Sequence, residues 1–312
     1  MDRKYFQQLA YSLTTVLYLC VSASCLASNW QPQVDIQADA HYSRYNFTDI
    51  KIPYDGIDGW LELKLALWDI NVNDVNARPG LSPYISVIPA TTTESEFWWQ
   101  RNCTGAFGFQ LYPVDTFLPD TKNNLEWLRG LRLYTTYGLR EYYDKPSHES
   151  PQDEDFRFGF DYYGDNFYNT SMFTYLLWTN LTYRSTNYSL SDYRAVLWEG
   201  NLKLGHKFDL NPDSSSKSFL LPYGLIDWTY VPAHSDRWWE NFLRAGAGIS
   251  FYPFVLGGDK DKNVLDRFNI YVEVLHNASW LGDDAPSNVK ETDWRIGINF
   301  STFWDWDGQK MQ

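Results

Sequence analysis

Cysteine is scarce in this chain of 312 residues, with Cys20, Cys25 and Cys103 the three it has. The first two lie near the N-terminus, so residues 28–312 hold Cys103 alone and cannot form an internal disulfide. That excludes a secreted disulfide scaffold. The five histidines are scattered without metal-ligand spacing, which gives no reason to expect a bound metal. A P-loop and a dinucleotide fingerprint are both missing, and no cofactor is expected. Lys and Arg number 26 against 39 Asp and Glu, a formal net charge of −13, with no contiguous basic patch. Nucleic acid is therefore excluded as a partner. After the first thirty residues no apolar run is long enough for a spanning helix.

The first 27 residues read as a signal peptide. Arg3 and Lys4 supply a basic start, Leu13 to Val21 a short apolar core, and the small residues around Ser24 and Ala27 a cleavage site. An acylated Cys25 is the lipoprotein alternative, although Ser22-Ala23-Ser24 lacks the leucine that usually stands three residues before such a cysteine. Residues 28–312 are expected to form one domain, because no Pro/Gly/Ser-rich linker divides them.

What the chain has is alternation. Aromatics make up 18% of it, yet its mean hydropathy is −0.45. In the segment 294–304, Trp294, Ile296, Ile298 and Phe300 point one way, and Arg295, Gly297, Asn299 and Ser301 the other. A strand has a side-chain period of two, so this ribbon has one apolar and one polar face. The pattern recurs. Leu61, Leu63 and Leu65 alternate with Glu62, Lys64 and Ala66; Leu131, Leu133, Tyr137 and Leu139 oppose Arg132, Tyr134, Thr136 and Arg140. Val196, Trp198, Leu202 and Leu204 oppose Glu199, Asn201 and Lys203; Phe268, Ile270, Val272 and Val274 oppose Arg267, Asn269, Tyr271 and Glu273.

An export signal followed by repeated two-faced strands predicts an all-β fold: an antiparallel transmembrane β-barrel of about 12 strands, of the bacterial outer-membrane type. A secreted β-sandwich is the soluble alternative. The strands are expected near 33–45, 58–69, 82–89, 96–112, 128–143, 155–163, 171–185, 193–209, 218–231, 240–254, 266–280 and 292–304, with a short helix within 123–131. An even number returns both ends to the periplasmic side. Doubled aromatics at strand ends predict interfacial girdles: Trp98 and Trp99, Tyr142 and Tyr143, Tyr162 and Tyr163, Trp238 and Trp239, Trp304 and Trp306.

The same phase sorts the charges. Lys64, Arg132, Arg140, Arg157, Arg184, Lys203, Arg244, Arg267 and Arg295 are expected inside. So are Asp35, Asp39, Glu62, Asp161, Glu199, Asp227 and Glu273. This predicts a mixed lumen with a slight basic tilt, the acid excess going to loops such as 144–155. Such charges either pair across strands and fill the interior or line a conduit for an uncharged or anionic solute. Gly246 and Gly248 are expected inside as packing positions. Acidic loops could hold divalent cations that bridge them to anionic surface lipid, lipopolysaccharide included.

Catalysis has two candidate places. His41 and Ser43 share a face of the first strand. His276 and Ser279, near Glu273, are three apart and face opposite ways. Neither place has a clear third member, so the chain reads as non-enzymatic, with no catalytic residues assigned. A lipid-modifying acyl hydrolase is the alternative, and a structural or adhesive barrel that binds a partner through acidic loops is another.

Five stretches carry a likeness to a known family: Trp198-Glu199-Gly200-Asn201-Leu202-Lys203-Leu204-Gly205-His206-Lys207-Phe208, Leu221-Pro222-Tyr223-Gly224, Arg244-Ala245-Gly246-Ala247-Gly248-Ile249, Tyr271-Val272-Glu273-Val274 and Trp294-Arg295-Ile296-Gly297-Ile298. Over about 190–304 the chain resembles the C-terminal barrel domain of the outer-membrane phage-adsorption protein family, which is itself similar to exopolysaccharide-export barrels. Arg295 to Thr302 also resembles the terminal recognition signal of bacterial barrels, here followed by Asp305 to Gln312. The likeness implies export or passage of a polar polymer, a surface exopolysaccharide, with exposed loops open to phage. That family carries a helical-repeat region before its barrel, so a stand-alone barrel would rely on a separate periplasmic export partner. The residues expected to meet such a substrate are Arg132, Tyr134, Arg140, Glu199, Lys203, Arg244, Arg267, Tyr271, Glu273 and Arg295.

Overall fold

A computed structural model describes residues 33–46, 53–66, 81–93, 101–117, 126–143, 153–166, 172–188, 191–211, 216–232, 241–256, 265, 267–280 and 292–305. The strands are β1 (Gln33–Asn46), β2 (Pro53–Ala66), β3 (Leu81–Thr92), β4 (Asn102–Leu111), β5 (Leu131–Tyr142) and β6 (Asp153–Asp165). They continue as β7 (Phe173–Tyr188), β8 (Ser191–His206), β9 (Ser216–Tyr230), β10 (Phe242–Leu256), β11 (Asn269–Trp280) and β12 (Thr292–Asp305). A two-residue piece, Phe208–Asp209, prolongs β8 after a break. Between β4 and β5 lie a short helix, α1 (Pro113–Phe117), and a 3-10 turn, Glu126–Gly130.

Each strand runs antiparallel to the next, and the last returns to the first. β1 and β12 pair from Gln33↔Asp305 to Tyr45↔Asp293. The sheet is thus a closed ring with no free edge, the one way strands can span a membrane without unpaired backbone groups. The first and last described residues, Gln33 and Asp305, lie at the same end. In single-chain bacterial barrels that end is periplasmic.

Register follows phase. Phe158 is 61% exposed, Trp294 and Ile296 each 55%, whereas Asp161 and Asp293, of opposite phase on the same strands, lie buried on the inner face. A polar inside and an apolar outside are the signature of a transmembrane barrel. A one-residue slip would turn every lumen charge towards lipid, at about 2–4 kcal/mol for each Arg or Lys near the midplane.

The expected strands all occur, with informative differences at their ends. β2 begins at Pro53 rather than near 58, because Pro53 is its first residue, a place a strand tolerates proline. β4 was expected from 96; residues 96–100 lie outside the described residues, as do 67–69. β8 was expected unbroken to 209 and instead stops at His206. Where a short helix is expected within 123–131, Glu126–Gly130 forms a 3-10 turn. The leader, the acidic loop to residue 152, Trp98, Trp99, Trp238, Trp239 and Trp306, and the tail beyond Asp305 lie outside the description, as does the side chain of Trp304.

Of the doubled aromatics, the two pairs among the described residues each send one ring inward and so give the expected girdle one ring apiece. Adjacent strand residues face opposite sides, so one ring of each pair turns inward. Tyr142 is buried and its hydroxyl meets Asp153, whereas Tyr143 is exposed. Tyr163 faces the lumen and meets Arg267, whereas the Tyr162 hydroxyl donates to the Trp127 carbonyl at 2.7 Å.

Candidate functional site: the charged lumen

The inner faces of β5 to β8 carry a connected file of polar groups. Arg132 Nε donates to both oxygens of Asp161, at 2.9 and 3.1 Å, and Nη1 reaches Gln110 Oε1 at 3.3 Å. Its guanidinium lies over the Tyr134 ring, 5.3 Å from the centroid. The Tyr134 hydroxyl donates to Asn180 Oδ1 at 2.9 Å, and Asn180 Nδ2 donates to Glu199 Oε1 at 3.0 Å. Arg140 Nε donates to Thr104 Oγ1 at 3.1 Å. Period-two strands in continuous register make this file, since β5 to β8 all present alternate residues at matching heights.

A second cluster is built by β8, β9 and β11. Lys203 Nζ donates to Glu273 Oε1 at 2.5 Å, and the Tyr223 hydroxyl donates to the same oxygen at 2.7 Å. The ammonium lies 4.8 Å from the Tyr223 centroid and 5.7 Å from that of Tyr271. Each such cation–π contact contributes about 0.5–2 kcal/mol, depending on hydration. Tyr271 donates to the Asp39 carboxylate at 3.1 Å, and Asn299 Nδ2 to the same group at 3.2 Å. Lys203, Tyr223, Tyr271, Glu273 and Asn299 border a cavity of ≈ 240 Å³ that also touches Asp165, Thr174, Ser250, Tyr252 and Asn269.

Glycines let the tyrosines lie flat against the wall. A Cβ on Gly248 would stand 2.7 Å from the Tyr223 ring, and one on Gly297 would stand 2.9 Å from that of Tyr271. Gly246 packs as closely against backbone, its would-be Cβ 2.1 Å from the Val274 carbonyl oxygen.

At the end that holds Gln33 and Asp305, Arg267 crosses the interior. Its Nη1 donates to Asp165 Oδ2 at 2.8 Å and to the Tyr163 hydroxyl at 2.6 Å. Arg267 immediately precedes β11 and its partners sit on β6, which lies on the far side of the twelve-strand ring. Both charged side chains are largely buried, at 16% and 10% exposed. The pair forms a latch across the mouth.

All ten expected substrate-contact residues therefore lie on the inner side, but they are not one site. Lys203, Tyr271 and Glu273 share the cavity, and Arg132, Tyr134 and Glu199 share the file. Arg140, Arg267 and Arg295 stand apart, and Arg244 stacks on the Phe242 ring at 4.0 Å.

The expected basic tilt is not what the register gives. Asp153, Asp155, Asp165 and Asp293 also point inward, and the last three hold arginines. Asp155 binds Arg157 at 2.6 Å and Arg184 at 3.3 Å, and Asp293 binds Arg295 at 2.7 Å. Among the described residues the inner acids outnumber the bases. Asp153 and Asp155 share the phase of Asp161, so the alternation of 153–161 was the signal that could have found them. Arg267–Asp165 had none, because its partners are 102 positions apart.

The catalytic candidates separate. His41 Nδ1 lies 2.6 Å from Asp39, but Ser43 Oγ donates to Asp293 at 2.7 Å and leaves the histidine without a serine. His276 sits on the outer face 3.1 Å from Thr292 Oγ1, and the Ser279 side chain lies outside the description.

Fold and lumen together define the class: a bacterial outer-membrane β-barrel with a charged, partly occluded interior. No family model matches the chain, and no curated protein matches it. Among solved structures it is similar to the β-domain of the Bordetella autotransporter BrkA, at 12% identity over 86% of this chain and 98% of that one, TM-score 0.37. It is similar to the translocator domain of the autotransporter NalP from Neisseria meningitidis, at 11% identity over 94% and 97%, TM-score 0.36. An outer-membrane channel from Pseudomonas putida F1 aligns at 8% identity over 89% and 97%, TM-score 0.38. Scores this low carry no weight of their own. The assignment rests on the closed register and the two-faced wall.

Proposed function

We propose that the barrel passes a polar, saccharide-class solute across the outer membrane. The observation that carries this is the recurrence of tyrosine, amide and ion-pair groups on the inner face, beside an apolar patch of Phe219, Leu221, Leu225 and Leu275. Tyrosine faces beside carboxylates and amides suit sugar, which presents an apolar ring face and hydroxyls that both donate and accept. The lining supports passage of sugar units in single file, because ion pairs and rings narrow the interior at several heights. The likeness to exopolysaccharide-export barrels would make the solute a surface polysaccharide chain. In that case the Arg267–Asp165 latch must open for the chain to pass.

Single-channel recording in planar bilayers tests the proposal. Small or intermittent conductance is expected, blocked by oligosaccharide added on the side that carries Gln33 and Asp305. A barrel that stays closed in both the native protein and Arg267→Ala would refute it.

A further inference from the structure

Two ladders of the ring are interrupted opposite a proline among the described residues: β2 and β3 skip from Trp60↔Ala90 to Leu63↔Val87 beside Pro89, and the seam between β8 and β9 is broken in the same way. β8 and β9 pair as far as Gly205↔Tyr223, and the ladder resumes at Phe208↔Leu220. Both pairs belong to one register, so His206 and Lys207 stand opposite Pro222 and Leu221 without joining the ladder. Proline has no N–H to give to a neighbouring strand. The Lys207 amide turns the other way and donates to the Met172 carbonyl at 2.8 Å.

On the membrane side this seam opens into a groove of ≈ 740 Å³. Its floor is Gly224 and Ala247, and Phe173, Tyr175, Leu204 and Pro222 border it. A Cβ on Gly224 would meet nothing nearer than the Gly246 carbonyl oxygen at 4.0 Å. Groove and lumen cavity share Thr174, Tyr175, Gly205 and Tyr223 as lining. At Gly205 a Cβ would lie 2.7 Å from Leu221 Cδ1 and 2.8 Å from the Pro222 carbonyl oxygen, so the partition there is the Leu221 side chain and the β9 backbone packed against a bare glycine. Thr174 is 7% exposed, and its Oγ1 has no hydrogen-bond partner among the described residues.

We propose that the seam is a lateral portal for an acyl-chain amphipath. The groove opens on the lipid-facing wall, so hydrocarbon fills it. The cavity behind places the Lys203–Glu273 pair, hydroxyls and amides beside Leu176 and Leu221, so a polar head finds partners there while the upper part of its chain meets leucine. One molecule with a single chain and a polar head satisfies both, its chain lying over Gly224 and its head meeting Thr174 Oγ1 beside Tyr223 and the Lys203–Glu273 pair. This role is independent of axial passage.

The test is photolabelling in proteoliposomes with lysophosphatidylcholine that carries a diazirine at the chain end, followed by mass mapping of adducts. Adducts are expected on 173–175, 204–206 and 222–224. They should fall about tenfold in Gly224→Phe, a loss of about 1.4 kcal/mol in occupancy, with conductance unchanged. Ala247→Phe serves the same purpose if Gly224→Phe does not fold. A headgroup diazirine should label Thr174 or Tyr223. Equal chain labelling at 270–272 and 296–298, labelling indifferent to both groove-filling variants, or headgroup adducts confined to outward residues would overturn the portal.

Discussion

Arg267→Ala should both unlatch the barrel and destabilise it, and the two effects can be measured separately. The substitution removes the guanidinium that binds Asp165 and Tyr163. It leaves a carboxylate whose side chain is 10% exposed without its main cationic partner. Stripping one member from a buried ion pair costs about 3–5 kcal/mol. The lower end applies, because Tyr163 remains beside Asp165, so about 3 kcal/mol is expected from urea unfolding in lipid vesicles. Replacing both members, as Arg267→Met with Asp165→Leu, removes the unpaired charge and should return most of that loss. The double-mutant cycle is therefore strongly non-additive, as for groups in direct contact. Conductance should rise in the single and the double variant alike, since both clear the mouth. A single variant within about 0.5 kcal/mol of wild type, the range of ordinary surface changes, would refute the latch. So would additive energies.

Gly248→Ala should cost about 1–3 kcal/mol, the usual range for overpacking, because the new methyl would stand 2.7 Å from the Tyr223 ring and 2.8 Å from the Val272 carbonyl oxygen; equilibrium unfolding reads it. Ile296→Arg places a cation on the lipid face and should cost about 2–4 kcal/mol, whereas Asn299→Arg on the lumen face of the same strand should cost far less; equal costs would mean that the phase of β12 is wrong. The surplus of inner acids predicts a preference for cations, seen as the sign of the reversal potential in a salt gradient; a preference for anions would contradict the lumen described above.

Most of the wall was legible because a strand repeats every two residues. Ile296 and Ile298 against Arg295 and Asn299 fix the phase of β12 with no tertiary information. The start of β2 was less legible: the strand begins at Pro53, five residues before the clear alternation, and as its first residue Pro53 leaves no ladder bond missing in the strand interior. The interior was only half legible. Phase says which side chains enter the lumen, but not which meet, since meeting depends on ring closure and stagger. His41 and Ser43 show the difference. They share a face as expected, yet β12 brings Asp293 to the serine and takes it out of any catalytic group. Tyr223 and Gly248 likewise gain meaning only once β9 and β10 lie side by side with Tyr223 opposite Gly248.

The cavity beside Lys203 and Glu273 has two neighbours of different character, and this is what makes the proposed roles separable. Towards the mouth it borders Asp165, one half of the latch; towards the membrane it borders Gly205 and Thr174 at the seam. The latch is charged, and water entering the lumen can solvate both halves as they part, which lowers the cost of opening relative to exposing an apolar plug. At the seam Gly205 meets the Leu221 side chain and the Pro222 carbonyl, groups that hydrocarbon approaches without desolvating any charge. Axial solutes are therefore polar and lateral ones are chains. Arg267→Ala should change conductance and leave groove labelling untouched, and Gly224→Phe should do the reverse. A variant of either kind that moved both readouts together would mean that latch and seam open as one unit, and the cavity would then be a junction between lumen and lipid rather than two separate paths.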